Sequence, residues 1–201
     1  MKTDQVPLNT IIYTTMIKAY SKAFRLNKAM KVYETMLEES KANPNVAPNS
    51  VTYNSLLDCC VRCFDMPLAN SLFVTMLESK SPSLRPDLIT YSTLIKGFCK
   101  ERNIEQAFVT LQQMEKQGNI KADEVLYNSL LDGCCKSNEV DMALKVYQNM
   151  RTLKIRPSNV TYSILVKIYA KARDVNRALQ VLEQMKRENL QPGLIVYTCL
   201  I

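Results

Sequence analysis

No histidine occurs among the 201 residues. That absence removes the commonest general base and every imidazole metal ligand. Tryptophan is missing too, and glycine occurs only four times. So little glycine is poor material for a β-sandwich with many tight turns and suits a helical chain. No apolar run reaches the length of a membrane span. The opening residues, MKTDQVPLN, form neither a secretory signal nor the Arg-rich, acid-poor segment of a transit peptide. There is no P-loop, nucleophile elbow or Gly-rich phosphate turn. Cys60-x-x-Cys63 is half a zinc motif; without a second such pair or a histidine, a four-ligand site is hard to assemble. The expectation is a chain with no catalytic residue, no metal and no cofactor.

What is there points to a helical, basic binding module. The apolar fraction of 47% is enough for a continuous core. Lys and Arg outnumber Asp and Glu by 26 to 19, a net charge of +7, which favours polyanionic partners but equally describes a solvated basic surface. Seven cysteines, an odd count at irregular spacing, fit free thiols in a reducing compartment.

The decisive feature is a period. Tyrosines stand at Tyr13, Tyr53, Tyr91, Tyr127, Tyr162 and Tyr197. Sixteen residues after each of the first five comes an alanine: Ala29, Ala69, Ala107, Ala143 and Ala178. Seven residues further comes a methionine: Met36, Met76, Met114, Met150 and Met185. All length variation therefore falls after the methionine, as surface connectors between rigid units require. Within one unit, Tyr127, Leu130, Leu131 and Cys134 share one helical face. The polar break Lys136-Ser137-Asn138 precedes a second stripe of Val140, Ala143, Leu144, Tyr147 and Met150. Asp141 and Asn176 are expected to cap second helices, and Pro67 suits a helix start. Pro48, Pro86, Pro157 and Pro192 lie in the connectors and stop each second helix. One hairpin cannot bury both stripes, but stacked hairpins can. The expected fold is all-α, a right-handed α-solenoid of about five helix-turn-helix repeats with partial ends.

The units VTYNSLLDCCVR, ITYSTLIKGFCK, VLYNSLLDGCCK and VTYSILVKIYAK, each followed by an A-x6-M helix, resemble the pentatricopeptide repeat family, in its plain 35-residue class. The resemblance divides the chain into the tail of a preceding repeat (1–9), five repeats (10–49, 50–87, 88–123, 124–158 and 159–193) and the start of a sixth (194–201). The abrupt ends suggest a piece of a longer array. The rival is the tetratricopeptide repeat, a peptide-binding hairpin usually of 34 residues with a Trp-Leu-Gly-Tyr signature.

The family resemblance implies single-stranded RNA as partner, read at about one base per repeat. The base-reading positions would be the residue after each tyrosine (Thr14, Asn54, Ser92, Asn128, Ser163 and, in the partial unit, Thr198) and the residue closing each repeat (Asn49, Asp87, Asp123, Ser158, Gly193). By the family's pairing preferences, Thr14/Asn49 implies adenine, Asn54/Asp87 uracil, Ser92/Asp123 guanine, Asn128/Ser158 cytosine and Ser163/Gly193 a purine: 5′-A-U-G-C-R-3′. The long connectors after repeats 1 and 2 could shift Asn49 and Asp87 out of the groove. The same residues also suit helix caps and turns. Branched aliphatics two before each tyrosine, Ile11, Val51, Ile89, Val125, Val160 and Ile195, would flank the bases; ordinary packing is the alternative. Nine after each tyrosine stands a cation, Lys22, Arg62, Lys100, Lys136 and Lys171, forming a phosphate-contacting ladder or else a solvated face. Five phosphate contacts would give a slope of log K against log salt of about −3.5. The implied role is in organellar RNA processing, stability, editing or translation, in mitochondrion or chloroplast, with recruited protein partners and no membrane or DNA. The alternative is a peptide-binding helical scaffold.

Overall fold

A computed structural model describes residues 9–118 and 120–199, except the side chain of Ile195. Residues 1–8 of the expected leading tail therefore lie outside the described residues. The chain forms two compact units, Met1–Gly97 and Phe98–Ile201. Among the described residues, regular structure is helical: α1 (Thr10–Lys22), α2 (Leu26–Ser40), α3 (Ser50–Arg62), α4 (Met66–Glu78), α5 (Leu88–Lys100), α6 (Ile104–Lys116), α7 (Glu124–Ser137), α8 (Val140–Thr152), α9 (Asn159–Lys171), α10 (Val175–Arg187) and α11 (Leu194–Thr198). None of these helices is long and apolar enough to cross a membrane.

In the first unit α1 packs on α2 and on α3, and α3 on α4. In the second, α7 packs on α8 and α9, and α9 on α10. The repeated residues explain this. The tyrosines of the five full copies, the five alanines and the five methionines are all buried. Each alanine removes side-chain bulk where two helices of a hairpin meet. Tyr197, on the short α11, departs from the pattern and is 46% exposed. Aromatic residues of second helices meet the next tyrosine edge-on: Tyr33 with Tyr53 at 5.7 Å, Phe73 with Tyr91 at 5.3 Å, Tyr147 with Tyr162 at 6.4 Å between centroids. Two tyrosine hydroxyls of the stripe are paired, Tyr33 with Tyr53 at 2.6 Å and Tyr127 donating to Glu115 at 2.5 Å.

Every hairpin bends through a left-handed residue eleven after its tyrosine: Phe24, Phe64, Arg102, Asn138 and Arg173, with φ of 56, 59, 60, 61 and 58°. This bend fixes where the second helix begins, and it corrects the expected caps. Asp141 and Asn176 lie inside the first turns of α8 and α10. The N-cap positions belong to Glu139, which makes no side-chain cap, and Asp174, whose carboxylate accepts from the Arg177 amide. Pro67 sits in the first turn of α4, as expected.

The connectors differ. After α2 and α4 the chain makes short 3₁₀ turns, Pro44–Val46 and Pro82–Leu84. After α6, α8 and α10 it leaves through a second left-handed residue, Gly118, Lys154 or Asn189. All seven cysteines are free thiols. Burial pushes the Cys59 thiol up to about 11 and those of Cys60, Cys99 and Cys134 to about 12. Packing, not reactivity, accounts for them.

Candidate nucleic-acid interface

The closing residues are held by the helix starts they cap. Asn49 Oδ1 accepts from the Thr52 amide at 3.1 Å, Asp87 Oδ1 from Thr90 at 2.9 Å, Asp123 Oδ1 from Leu126 at 2.8 Å and Ser158 Oγ from Val160 at 3.1 Å. Capping was the alternative to base reading at these positions, and all four side chains do cap a helix start. Gly193, exposed, has no side chain to cap α11.

The paired positions come together. In repeat 2, Asn54 Nδ2 donates to Asp87 Oδ1 at 3.1 Å. The Thr90 hydroxyl donates to Asn54 Oδ1 at 2.7 Å and also contacts Asp87 Oδ1 at 3.0 Å. The long connector before Asp87 therefore does not carry it away from Asn54. In repeat 1, Thr14 Oγ1 and Thr52 Oγ1 are 2.8 Å apart, and Thr52 donates to Asn49 Oδ1 at 3.2 Å, so one threonine links the pair. In repeat 4, Thr161 Oγ1 donates to Asn128 Oδ1 at 2.8 Å. Thr14 and Asn54 are buried, while Ser92, Asn128 and Ser163 are half-buried and Thr198 is exposed. Ser92 and Ser163 donate back to their own helices, to Ile89 O at 3.1 Å and Asn159 O at 2.7 Å. Ser92 and Asp123 fall in different units, and each is described within its own.

The residue just before the tyrosine went unread in the sequence. Thr52, Thr90 and Thr161 are fully buried, and their hydroxyls hold the closing residue's backbone as well as the reader. The signal was available as threonine in the same register in three copies. Glu124 went unread as well: its carboxylate accepts from Asn128 Nδ2 at 2.9 Å and from the Ser158 hydroxyl.

The branched aliphatics are not packed in the core. Ile11, Val51, Ile89, Val125 and Val160 are 72, 48, 61, 65 and 57% exposed. Five β-branched residues exposed in one register are costly to hydrate and available to a flat apolar partner. The Ile195 side chain lies outside the described residues.

In the first unit the three classes line one concavity of about 640 Å³. Its wall includes Asn54 and Asp87, Val51 and Ile89, and Lys22 and Arg62, with Lys18 beside them. The cations are held to different degrees. Arg62 Nε lies 2.6 Å from Asp58 Oδ2, which also accepts from Ser21. Lys136 Nζ lies 2.6 Å from Asp132 Oδ2, and that hydrogen bond raises the lysine pKa. Both pairs are partly exposed, where such pairs contribute little to stability. Lys171 donates to Cys135 O at 3.1 Å. Among the described residues Lys22 and Lys100 form no ion pair. Among the described residues, no cluster of three or more acidic or thiol side chains could hold a metal ion.

Comparison with known proteins decides the family. The PPR repeat family matches residues 48–100, 86–121 and 122–171, and further pentatricopeptide matches cover 1–63 and 160–190. This chain belongs to the pentatricopeptide repeat family. It is 30% identical over 73% of its length to a chloroplastic pentatricopeptide repeat-containing protein of Arabidopsis thaliana, of which it covers 18%. It is 30% identical over 53% of its length to the Arabidopsis small ribosomal subunit protein mL103, of which it covers 24%. The chain thus spans about a fifth of these curated relatives. Among solved structures it resembles the pentatricopeptide repeat protein PPR10 from maize, at 25% identity and TM-score 0.76 over 89% of this chain and 24% of that one. PPR10 in complex with an 18-nt psaJ RNA element matches at 24% identity and TM-score 0.71, covering 98% of this chain and 31% of that one. These likenesses establish an all-α helical-repeat fold of the solenoid class.

Proposed function

We propose that this chain binds single-stranded RNA, selecting about one base per repeat, within the repeat boundaries 10–49, 50–87, 88–123, 124–158 and 159–193. The observation that carries this is the concavity of the first unit, where a hydrogen-bonded polar pair, two exposed aliphatics and two of the expected cations share one wall. A base edge needs the first, its faces the second and its phosphates the third. The RNA-bound PPR10 relative supports the same reading. The other base-reading residues are Thr14 with Asn49, Ser92 with Asp123, Asn128 with Ser158 and Ser163 with Gly193, and the other backbone contacts are Lys100, Lys136 and Lys171. Considered pair by pair, they favour 5′-A-U-G-C-R-3′. The protein works in an organelle, as relatives named chloroplastic, mitochondrial or mitoribosomal do. It acts by occupying a strand and recruiting other proteins, not by catalysis.

Titration of the chain with 5′-AUG-containing pentamers and their scrambled counterparts tests this. Selective binding with a salt slope near −3.5 is expected. Equal, salt-labile binding to all strands would reduce the reading to non-specific attraction. A protein-facing scaffold is the second reading, favoured by the ribosomal relative. Reversing Lys22, Lys100, Lys136 and Lys171 to Glu abolishes RNA affinity under the first reading and spares binding of non-acidic protein partners under the second.

A further inference from the structure

We infer that Glu124 is a third specificity residue of repeat 4, one that converts its Asn128/Ser158 pair from a cytosine reader into a uracil reader. The inference rests on the RNA-binding reading above. Repeats 2 and 4 carry the same asparagine after the tyrosine, and both asparagines are held alike at their carbonyl end. Thr90 donates to Asn54 Oδ1 at 2.7 Å and Thr161 to Asn128 Oδ1 at 2.8 Å. At the amide end both donate to a carboxylate, but to different ones. Asn54 Nδ2 meets the closing residue, Asp87, at 3.1 Å. Repeat 4 closes on Ser158, and Asn128 Nδ2 instead meets Glu124 Oε1 at 2.9 Å, from the first residue of α7. The Ser158 hydroxyl donates to that same oxygen. Glu124 therefore supplies to its asparagine the carboxylate that Asp87 supplies in repeat 2. The equivalent positions of the other copies are Thr10, Ser50, Leu88, Asn159 and Leu194, none of them charged.

The hydrogen count sets the consequence. A serine hydroxyl has one hydrogen and two lone pairs. With its hydrogen committed to Glu124 and one lone pair to the Val160 amide, Ser158 offers a base a single acceptor and no donor. Cytosine N3 is itself an acceptor and meets no donor from Ser158. Uracil N3 carries a hydrogen and meets a lone pair of Ser158 or Glu124. An acceptor left facing another acceptor weakens binding by about tenfold. Repeat 4 thus reads as repeat 2 does, and the preferred strand becomes 5′-A-U-G-U-R-3′.

Fluorescence-anisotropy titration of the full chain with 5′-AUGUA-3′ and 5′-AUGCA-3′ tests this, with strands scrambled over the first three bases as reference. The chain is expected to bind the uracil strand about tenfold more tightly. Glu124→Ala frees the Ser158 hydroxyl and reverses the order. Adding Ser158→Asp to that variant returns the order to uracil, because the closing residue again supplies the carboxylate. A reversal of base order is something that loss of a merely structural contact would not produce, and thermal melting checks that each variant folds. Cytosine preferred or equal in the unaltered chain, or uracil still preferred by Glu124→Ala, overturns the role of Glu124; discrimination against the scrambled strands would then still uphold the RNA reading. Loss of discrimination on every strand overturns both.

Discussion

Repeat 2 and repeat 4 build the same hairpin and finish it differently. Both bury tyrosine, alanine and methionine in one register, both bend through a left-handed residue, and both fix an asparagine with the next repeat's threonine. Repeat 2 leaves through a long connector with a 3₁₀ turn and closes on Asp87; repeat 4 leaves through Lys154 and closes on Ser158 with Glu124 behind it. The difference teaches that the helix pair and the polar tip are separately adjustable. The stripe sets where the next helix starts, and connector length is absorbed before the cap without moving it.

Three pairs of substitutions press on how alike the repeats are. The largest effect belongs to the shared core. Leu57 and Leu131 stand four after their tyrosines and are fully buried. Changing either to alanine is expected to cost about 3 kcal/mol in urea unfolding, equally in both; a marked inequality would mean the two cores are not alike. Next come the glycines six after Tyr91 and Tyr127. A Cβ on Gly133 would lie 2.5 Å from Cys99 Sγ and 2.8 Å from Cys99 Cβ, the latter next to the backbone. On Gly97 it would meet the Met66 sulfur at 2.5 Å and Val61 Cγ2 at 2.7 Å, and the methionine can swing aside. Gly133→Ala should therefore lower stability by about 2 kcal/mol and Gly97→Ala by about 1 kcal/mol, after the helix-propensity gain of alanine. A larger loss at Gly97 would reverse this order. The smallest effect is at the caps. Asp87→Ala and Ser158→Ala each remove one N-cap and should cost about 1 kcal/mol, read as a fall in melting temperature of a few degrees. No change at Ser158 would mean that Glu124 holds the start of α9 on its own.

Much of this was legible in the sequence because it repeats. The tyrosine, alanine and methionine register names the buried stripes, and the same count puts Asn54, Asp87, Lys22 and Arg62 on one wall. What was not legible depends on single neighbours. Arg62 and Lys136 lean on Asp58 and Asp132, acids that appear in two copies, whereas Lys18, Lys96 and Lys167 stand at that position in the others. The N-cap positions expected at Asp141 and Asn176 fell instead to Glu139 and Asp174, each one residue after a left-handed bend, and only Asp174 makes a side-chain cap; composition does not reveal φ. Thr52, Thr90 and Thr161 read as ordinary helix-start residues until their partners are in place.

The bends carry a consequence for how such an array assembles. Phe24, Phe64, Arg102 and Arg173 adopt a conformation that costs such an L-residue about 1–2 kcal/mol and that glycine would enter freely, while Asn138 enters it more easily. A lone hairpin has little with which to offset that penalty, so it spends its time open. Docking against an already formed neighbour supplies the missing free energy. Growth of the array is therefore templated, each finished hairpin licensing the next, and unfolding frays inward from an end.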